Sequence, residues 1–255
     1  MDVGTGKVTK EEMQGIPHHL MDIANPMKIY TGADFKRDAA VAILDIQERK
    51  AVPLITGGTF FYLDLLREKM VAAPVEPNED FRNSLAHFKD EELYEELKKK
   101  DPARAETIDP FNRHRLIRAL EIIAVLGNVP PTAAPAESPY DWLIIGIDVP
   151  TESLHAKIHD RLHKRLGAGM IEEVEQLHGE GITWERFEDL GLEYRYIARY
   201  LDKKITYDEM VAELETKIRH YAKRQMTWLK KDTDIEWFSL DDKKTLFKRI
   251  EKFLS

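Results

Sequence analysis

Cysteine is absent from all 255 residues, which excludes a disulfide framework, a thiolate zinc site and a thiol nucleophile. Long apolar runs are missing too. The longest, residues 142–147, stops at Asp148, far short of the roughly 18 residues a membrane span needs, and residues 1–20 hold no apolar signal segment. The expectation is a cytoplasmic globular protein that does not touch membranes. Positive charge is also in deficit: 38 Lys and Arg face 46 Asp and Glu, a net charge of −8, which taken alone argues against a nucleic-acid partner. The length suits one large domain or two small ones, at roughly 100–200 residues per domain.

Two segments read as buried strands, Val52-Pro-Leu-Ile-Thr56 before Gly57-Gly58 and Trp142-Leu-Ile-Ile-Gly-Ile-Asp-Val149 before Pro150; Ile235-Glu-Trp-Phe-Ser-Leu240 is a weaker third. The rest has helical spacing, and strands alternating with helices predict an α/β core with a parallel sheet. Residues 74–139 form a charge-rich helical stretch between two proline-containing connectors, Ala72-Ala-Pro-Val-Glu-Pro77 and Val129-Pro-Pro-Thr-Ala-Ala-Pro-Ala-Glu-Ser-Pro139. They read as a helical insertion in a core made of residues 1–73 and 140–255.

Gly4-Thr-Gly-Lys7 looks like a phosphate loop, but a P-loop needs a Gly where Met1 stands and a Ser or Thr where Val8 stands, so an ordinary loop is expected. Thr56-Gly-Gly-Thr59, between an expected strand and the apolar 60–66 helix, has better context. Backbone N–H groups and a helix N-terminus meet there, which suits an anion, although a capped tight turn would read the same. In the helix 153–166 the apolar stripe is Leu154, Ile158, Leu162 and Leu166; Arg161 borders it and Arg165 lies within it, needing either a structural carboxylate or a phosphate. His155, His159 and His163 fall on the other side. Without a His-Glu-x-x-His arrangement no metal site is expected from them.

Asp109-Pro110 is expected to open a helix that ends at Gly127, with Leu116, Leu120, Ile123 and Ala124 inward and Arg115 and Arg118 on the exposed flank. Thr206-Tyr-Asp-Glu209 is a capping box starting a helix that runs to about Lys231. Val211, Leu214, Ile218, Ala222, Gln225 and Leu229 share one face; His220, Lys223, Arg224, Thr227, Lys230 and Lys231 share the opposite one. Residues 217–231 contain six cations and no acid, more than complementing the helix dipole in its last turn requires, so a polyanion contact is the better reading. In Gly191-Leu-Glu-Tyr-Arg-Tyr-Ile-Ala-Arg-Tyr200, three tyrosines alternate with two arginines. That suits stacking on unpaired bases or, equally, an amphipathic helix.

His18-His-Leu-Met-Asp22, Leu54-Ile-Thr-Gly-Gly-Thr59, Arg115-Leu-Ile-Arg-Ala-Leu-Glu121, Leu154 to Arg161, Gly191-Leu-Glu-Tyr-Arg195 and Ala222-Lys-Arg-Gln-Met-Thr-Trp228 follow one another as in the tRNA dimethylallyltransferases, which the chain resembles over nearly its whole length. The resemblance implies transfer of a dimethylallyl group from its diphosphate to N6 of the adenosine 3′ to the tRNA anticodon, with Mg²⁺ on the diphosphate. It implies a P-loop-type α/β core, a helical insertion that grips the anticodon stem-loop, and a monomer. Thr59 and Arg161 would be catalytic and, with Gly57 and Gly58, would bind diphosphate. Arg82, Asn112, His114, Arg115 and Arg118 would touch tRNA from the insertion. Gly191, Leu192, Glu193, Tyr194, Arg195, Lys223, Arg224, Gln225, Thr227 and Trp228 would do so from the C-terminal part.

In that family a strand, a P-loop, a helix and a second strand with an Asp-Ser motif come before the stretch that Met1-Asp-Val-Gly-Thr5 matches. The expectation is therefore of a start lying upstream or a truncated protein, lacking the N-terminal strands, and no general base is assigned: Asp2 adjoins the family position without matching it. Two alternatives stand beside the transferase. One is a catalytically inactive tRNA-binding remnant; the other is a prenyltransferase acting on free adenylate.

Overall fold

The computed structural model describes residues 1–130 and 137–255. The middle of the second connector, residues 131–136, lies outside them. In chain order, α1 (Gly32–Glu48) and α2 (Phe60–Leu66) precede α3 (Glu79–Ser84), α4 (Asp90–Lys100), α5 (Pro102–Thr107) and α6 (Arg113–Leu126). After β1 (Ile144–Asp148) come α7 (Thr151–Gly167), α8 (Met170–Gly179), α9 (Trp184–Phe187), α10 (Leu192–Leu201) and α11 (Tyr207–Leu229), then β2 (Ile235–Ser239) and α12 (Lys243–Leu254). No described helix is long and apolar enough to cross a membrane.

Both strands lie where branched and aromatic residues crowd, and they pair in parallel with Ile144 opposite Ile235 and Asp148 opposite Ser239. The expected parallel α/β arrangement is present in small form. The strand expected at 52–56 is not: Val52-Pro-Leu-Ile-Thr56 is irregular, with Val52 60% and Leu54 83% exposed. An extended segment becomes a strand only when a neighbour takes its N–H and C=O groups, and the described sheet consists of β1 and β2 alone.

Contacts divide the chain into two compact units, one of Met1–Tyr30, Asp38–Phe60 and Pro139–Ser255, the other of Thr31–Arg37 and Phe61–Ser138. The second unit thus takes in more chain than the 74–139 read from composition. Its core joins Leu93 and Leu97 of α4, Ala105 of α5, Ile108, and Leu116, Ala119, Leu120 and Ile123 of α6. Asn112, not Asp109, caps α6: its side chain accepts from the Arg115 N–H at 3.2 Å, while Asp109 accepts from the Phe111 N–H in a turn of its own. Gly127 ends the helix at φ 85°, as its sequence position implies. Ala124 is exposed rather than inward, and the inward place beside Leu120 belongs to Glu121, 1% exposed.

In the first unit Ile158 and Leu162 of α7, Met170 and Val174 of α8, Phe187 of α9, Tyr194 and Ile197 of α10 and Met210, Leu214 and Ile218 of α11 form one cluster. Full burial of each aliphatic side chain is worth about 1.5–3 kcal/mol. The capping box of α11 is made as its sequence implies, Thr206 accepting from the Glu209 N–H and Glu209 from the Thr206 N–H at 2.8 Å. Gly4-Thr-Gly-Lys7 is a turn, and Gly4 donates its N–H to the Glu173 carboxylate of α8 at 2.8 Å.

Candidate functional site

Leu54-Ile-Thr-Gly-Gly-Thr59 leads straight into α2, with Thr59 exposed immediately before its first residue. The turn is held from a distance of 167 residues: the Gln225 side-chain amide of α11 donates to the Gly58 carbonyl at 3.0 Å. Any Cβ at Gly58 would come within 2.1 Å of that amide nitrogen, so the glycine is what lets the two segments close up. Two of the sequence motifs, the glycine turn and 222–228, thus meet.

On α11 the inward face is built as expected, with Leu214 and Ile218 buried and Val211, Ala222, Gln225 and Leu229 half-buried. His220, Lys223, Arg224, Thr227, Lys230 and Lys231 are all exposed. Among the described residues Lys217, Lys223, Lys230 and Lys231 make no ion pair, and Arg224 lies over the exposed Tyr221 ring at 5.8 Å. Trp228, 47% exposed, completes a surface with both cations and aromatic faces. Such a surface contacts phosphates and stacks on bases.

Elsewhere arginines are held by carboxylates. Arg165 of α7 pairs with Glu193 of α10 at 3.4 Å, so the carboxylate alternative for this residue is met. Burial, and next the charge of Arg161, push the Arg165 guanidinium below its ordinary range, while Glu193 raises it. Arg161 itself is exposed and makes no hydrogen bond or ion pair among the described residues. A cation pressed by a like charge and lacking a counter-ion is a favourable place for an incoming anion.

In α10 the expectation for the tyrosines requires a correction. Gly191 opens α10 at φ 119°, a conformation strained for any other residue, and Leu192 packs against the core. Tyr194 is 2% exposed, its hydroxyl on Glu173, and burial, then Glu173, drive its ionisation far above the ordinary tyrosine range. Arg195 and Arg199 are both held by Glu188. Tyr194 and Tyr196 are therefore core residues, not stacking platforms, because α10 turns its tyrosine face toward α8 and α11.

A second correction concerns α6. Arg118 is not a free flank residue: it donates to Glu121 at 2.5 Å and to the Val75 carbonyl at 2.7 Å. Arg82 forks onto the same carboxylate with two bonds of 2.9 Å, and the Asn78 N–H adds a third donor at 2.6 Å. Burial raises the Glu121 carboxyl, but these donors together outweigh it and hold the group below its ordinary range. Asn112 is spent on capping; His114 and Arg115 are exposed, and Arg115 has no ion pair among the described residues.

Sequence reasoning missed the carboxylates: Glu121, Glu173, Glu188 and Glu215. The nearest signals were the (i, i+3) spacing of Arg118 and Glu121 and the (i, i+4) spacing of Glu215 and Arg219, whereas the bonds of Glu173 to Gly4 and of Glu121 to Arg82 join segments far apart in the chain.

The sequence profile described as IPP transferase matches residues 1–232. A tRNA dimethylallyltransferase of Shouchella clausii is 36% identical, the alignment spanning 100% of this chain and 84% of that protein; one from Geotalea uraniireducens is 38% identical over 94% and 80%. The crystal structure of the full-length tRNA isopentenylpyrophosphate transferase from Bacillus halodurans superposes with a TM-score of 0.70 at 32% identity, over 100% of this chain and 82% of that one. A eukaryotic dimethylallyltransferase captured acting on tRNA gives a TM-score of 0.74 at 26% identity, over 93% and 63%.

Proposed function

The chain belongs to the IPP transferase family, and from that premise we propose that it transfers a dimethylallyl group from dimethylallyl diphosphate to N6 of the adenosine 3′ to the tRNA anticodon, releasing diphosphate in the cytoplasm. The observation that carries the reading on this chain is the bond from Gln225 to Gly58. One helix presents unpaired cations and exposed aromatics and also closes onto the turn proposed to take the diphosphate.

Breaking the allylic C–O bond leaves negative charge on the departing diphosphate, so the requirement is for fixed N–H donors and a cation. The backbone of Gly57, Gly58 and Thr59 at the start of α2, with Thr59's hydroxyl, supplies the first; Arg161 supplies the second. The N6 nitrogen forms its bond to the allylic carbon as the electron pair leaves with diphosphate, and N6 then loses a proton. The target base must leave its stack, and Trp228 with the Arg224–Tyr221 pair offers surfaces for it and its neighbours. Lys223, Lys230 and Lys231 contact RNA phosphates, and Arg115 does so from the second unit. Magnesium favours oxygen ligands, whereas the grouping of three metal-ligating side chains among the described residues contains two imidazoles. Mg²⁺ is accordingly assigned to the substrate's diphosphate oxygens.

Incubating the protein with dimethylallyl diphosphate, Mg²⁺ and an anticodon stem-loop tests the proposal by mass spectrometry of the adenosine. Prenylated stem-loop supports it. Salt-sensitive binding with no transfer would instead support the remnant, and preference for free AMP the adenylate reading.

A further inference from the structure

Away from the turn and from the exposed face of α11, two histidines and a glutamate converge where α7 packs on α11. His159 and His163 stand four residues apart on α7, the spacing that points two imidazoles the same way in helical zinc sites. Their ring centroids are 4.2 Å apart, and both side chains are exposed. Glu215 of α11, half-buried, comes up beneath them: its Oε2 lies 3.2 Å from His159 Nδ1. One potential ligand atom from each of the three side chains lies within 4.8 Å of the others.

The carboxylate is already divided between two tasks. Arg219, one turn further along α11, donates to Oε1, leaving Oε2 for the imidazole side. A metal ligand whose second oxygen is anchored in this way is oriented before the metal arrives. Zinc–ligand bonds of about 2.0–2.2 Å place the ligand atoms of a tetrahedron about 3.3 Å apart, so the three groups need only close by rotation of two exposed rings. We propose that His159, His163 and Glu215 form a zinc-type transition-metal site that clamps α7 to α11, with a fourth position open to water. The ligand set of two nitrogens and one carboxylate oxygen favours Zn²⁺ over the all-oxygen shell that Mg²⁺ requires. The site is distinct from the transferase chemistry and does not depend on it. It does join the helix carrying Arg161 to the helix carrying Lys223 and Gln225.

Titrating the metal-free protein with Zn²⁺ alone in a calorimeter, and with Co²⁺ in a spectrophotometer, tests it. One equivalent of zinc and tetrahedral-type visible bands for cobalt are expected, with zinc affinity reduced roughly tenfold or more in both His163→Ala and Glu215→Gln. The double variant His18→Ala and His19→Ala, which removes two histidines adjacent in sequence and outside the proposed site, should leave affinity unchanged. Absence of stoichiometric zinc, undiminished binding in His163→Ala, or displacement of zinc by an equal concentration of Mg²⁺ would each overturn the proposal.

Discussion

Gln225 and Arg161 act at the level of single side chains. Gln225 makes one bond to a backbone carbonyl, so Gln225→Ala removes a contribution of about 0.5–1.5 kcal/mol and frees the Gly58 turn. The expected result in steady-state kinetics is a fall of about 3–10-fold in kcat/KM. Stem-loop affinity should be nearly unchanged; a loss confined to affinity would mean that Gln225 touches RNA and does not hold the turn. Arg161 differs because it has no partner to release and sits beside the charge of Arg165. Arg161→Ala is expected to lower kcat by about 100-fold or more, the magnitude found when a donor to developing negative charge is removed. Equal activity of the variant and the parent would show that the leaving group is stabilised elsewhere.

Among elements, α6 is the one whose inward face is organised by a charge. Glu121→Gln weakens the anchorage of Arg82 and Arg118, both about one-third exposed, and should cost about 1.5–3 kcal/mol in denaturant unfolding near neutrality. Because the folded carboxyl is held below its ordinary value of 4.5, the stability it contributes is fully present above that value and is lost as pH falls through the depressed folded value. The difference between parent and variant should therefore shrink in acid; a difference independent of pH would rule out the ionised carboxylate as its source. α6 also marks how far the sequence is legible. Its end at Gly127 and the capping box of α11 could be read directly, because each signal is local. Residues 52–56 looked like a strand on composition, but strand formation is decided by a neighbour that composition does not name. The tyrosines of α10 posed the same difficulty: 3.6-residue spacing fixes which residues share a face, and packing against α8 and α11 decides whether that face is wet or dry.

For the whole molecule the question is how an acidic protein offers itself to RNA. The net charge of −8 does not describe how charge is distributed, because many of the arginines are held by carboxylates: Arg82 and Arg118 by Glu121, Arg195 and Arg199 by Glu188, Arg165 by Glu193, Arg219 by Glu215, Arg249 by Glu236. The lysines of α11 are left without such partners among the described residues. The family resemblance named residues 191–195 and 223–228 alike as tRNA contacts, and the fold separates them: in the first set only Gly191 is exposed and Tyr194 is buried, whereas Lys223, Arg224, Thr227 and Trp228 of the second are exposed. That separation is tested most directly by the salt dependence of anticodon stem-loop binding, measured for the parent and for the triple variant Lys223→Ala, Lys230→Ala, Lys231→Ala. Each lost phosphate contact removes about 0.7–0.9 from the slope of log affinity against log salt, so the triple variant should be shallower by about 2. An unchanged slope would contradict the assignment of α11 as the RNA surface.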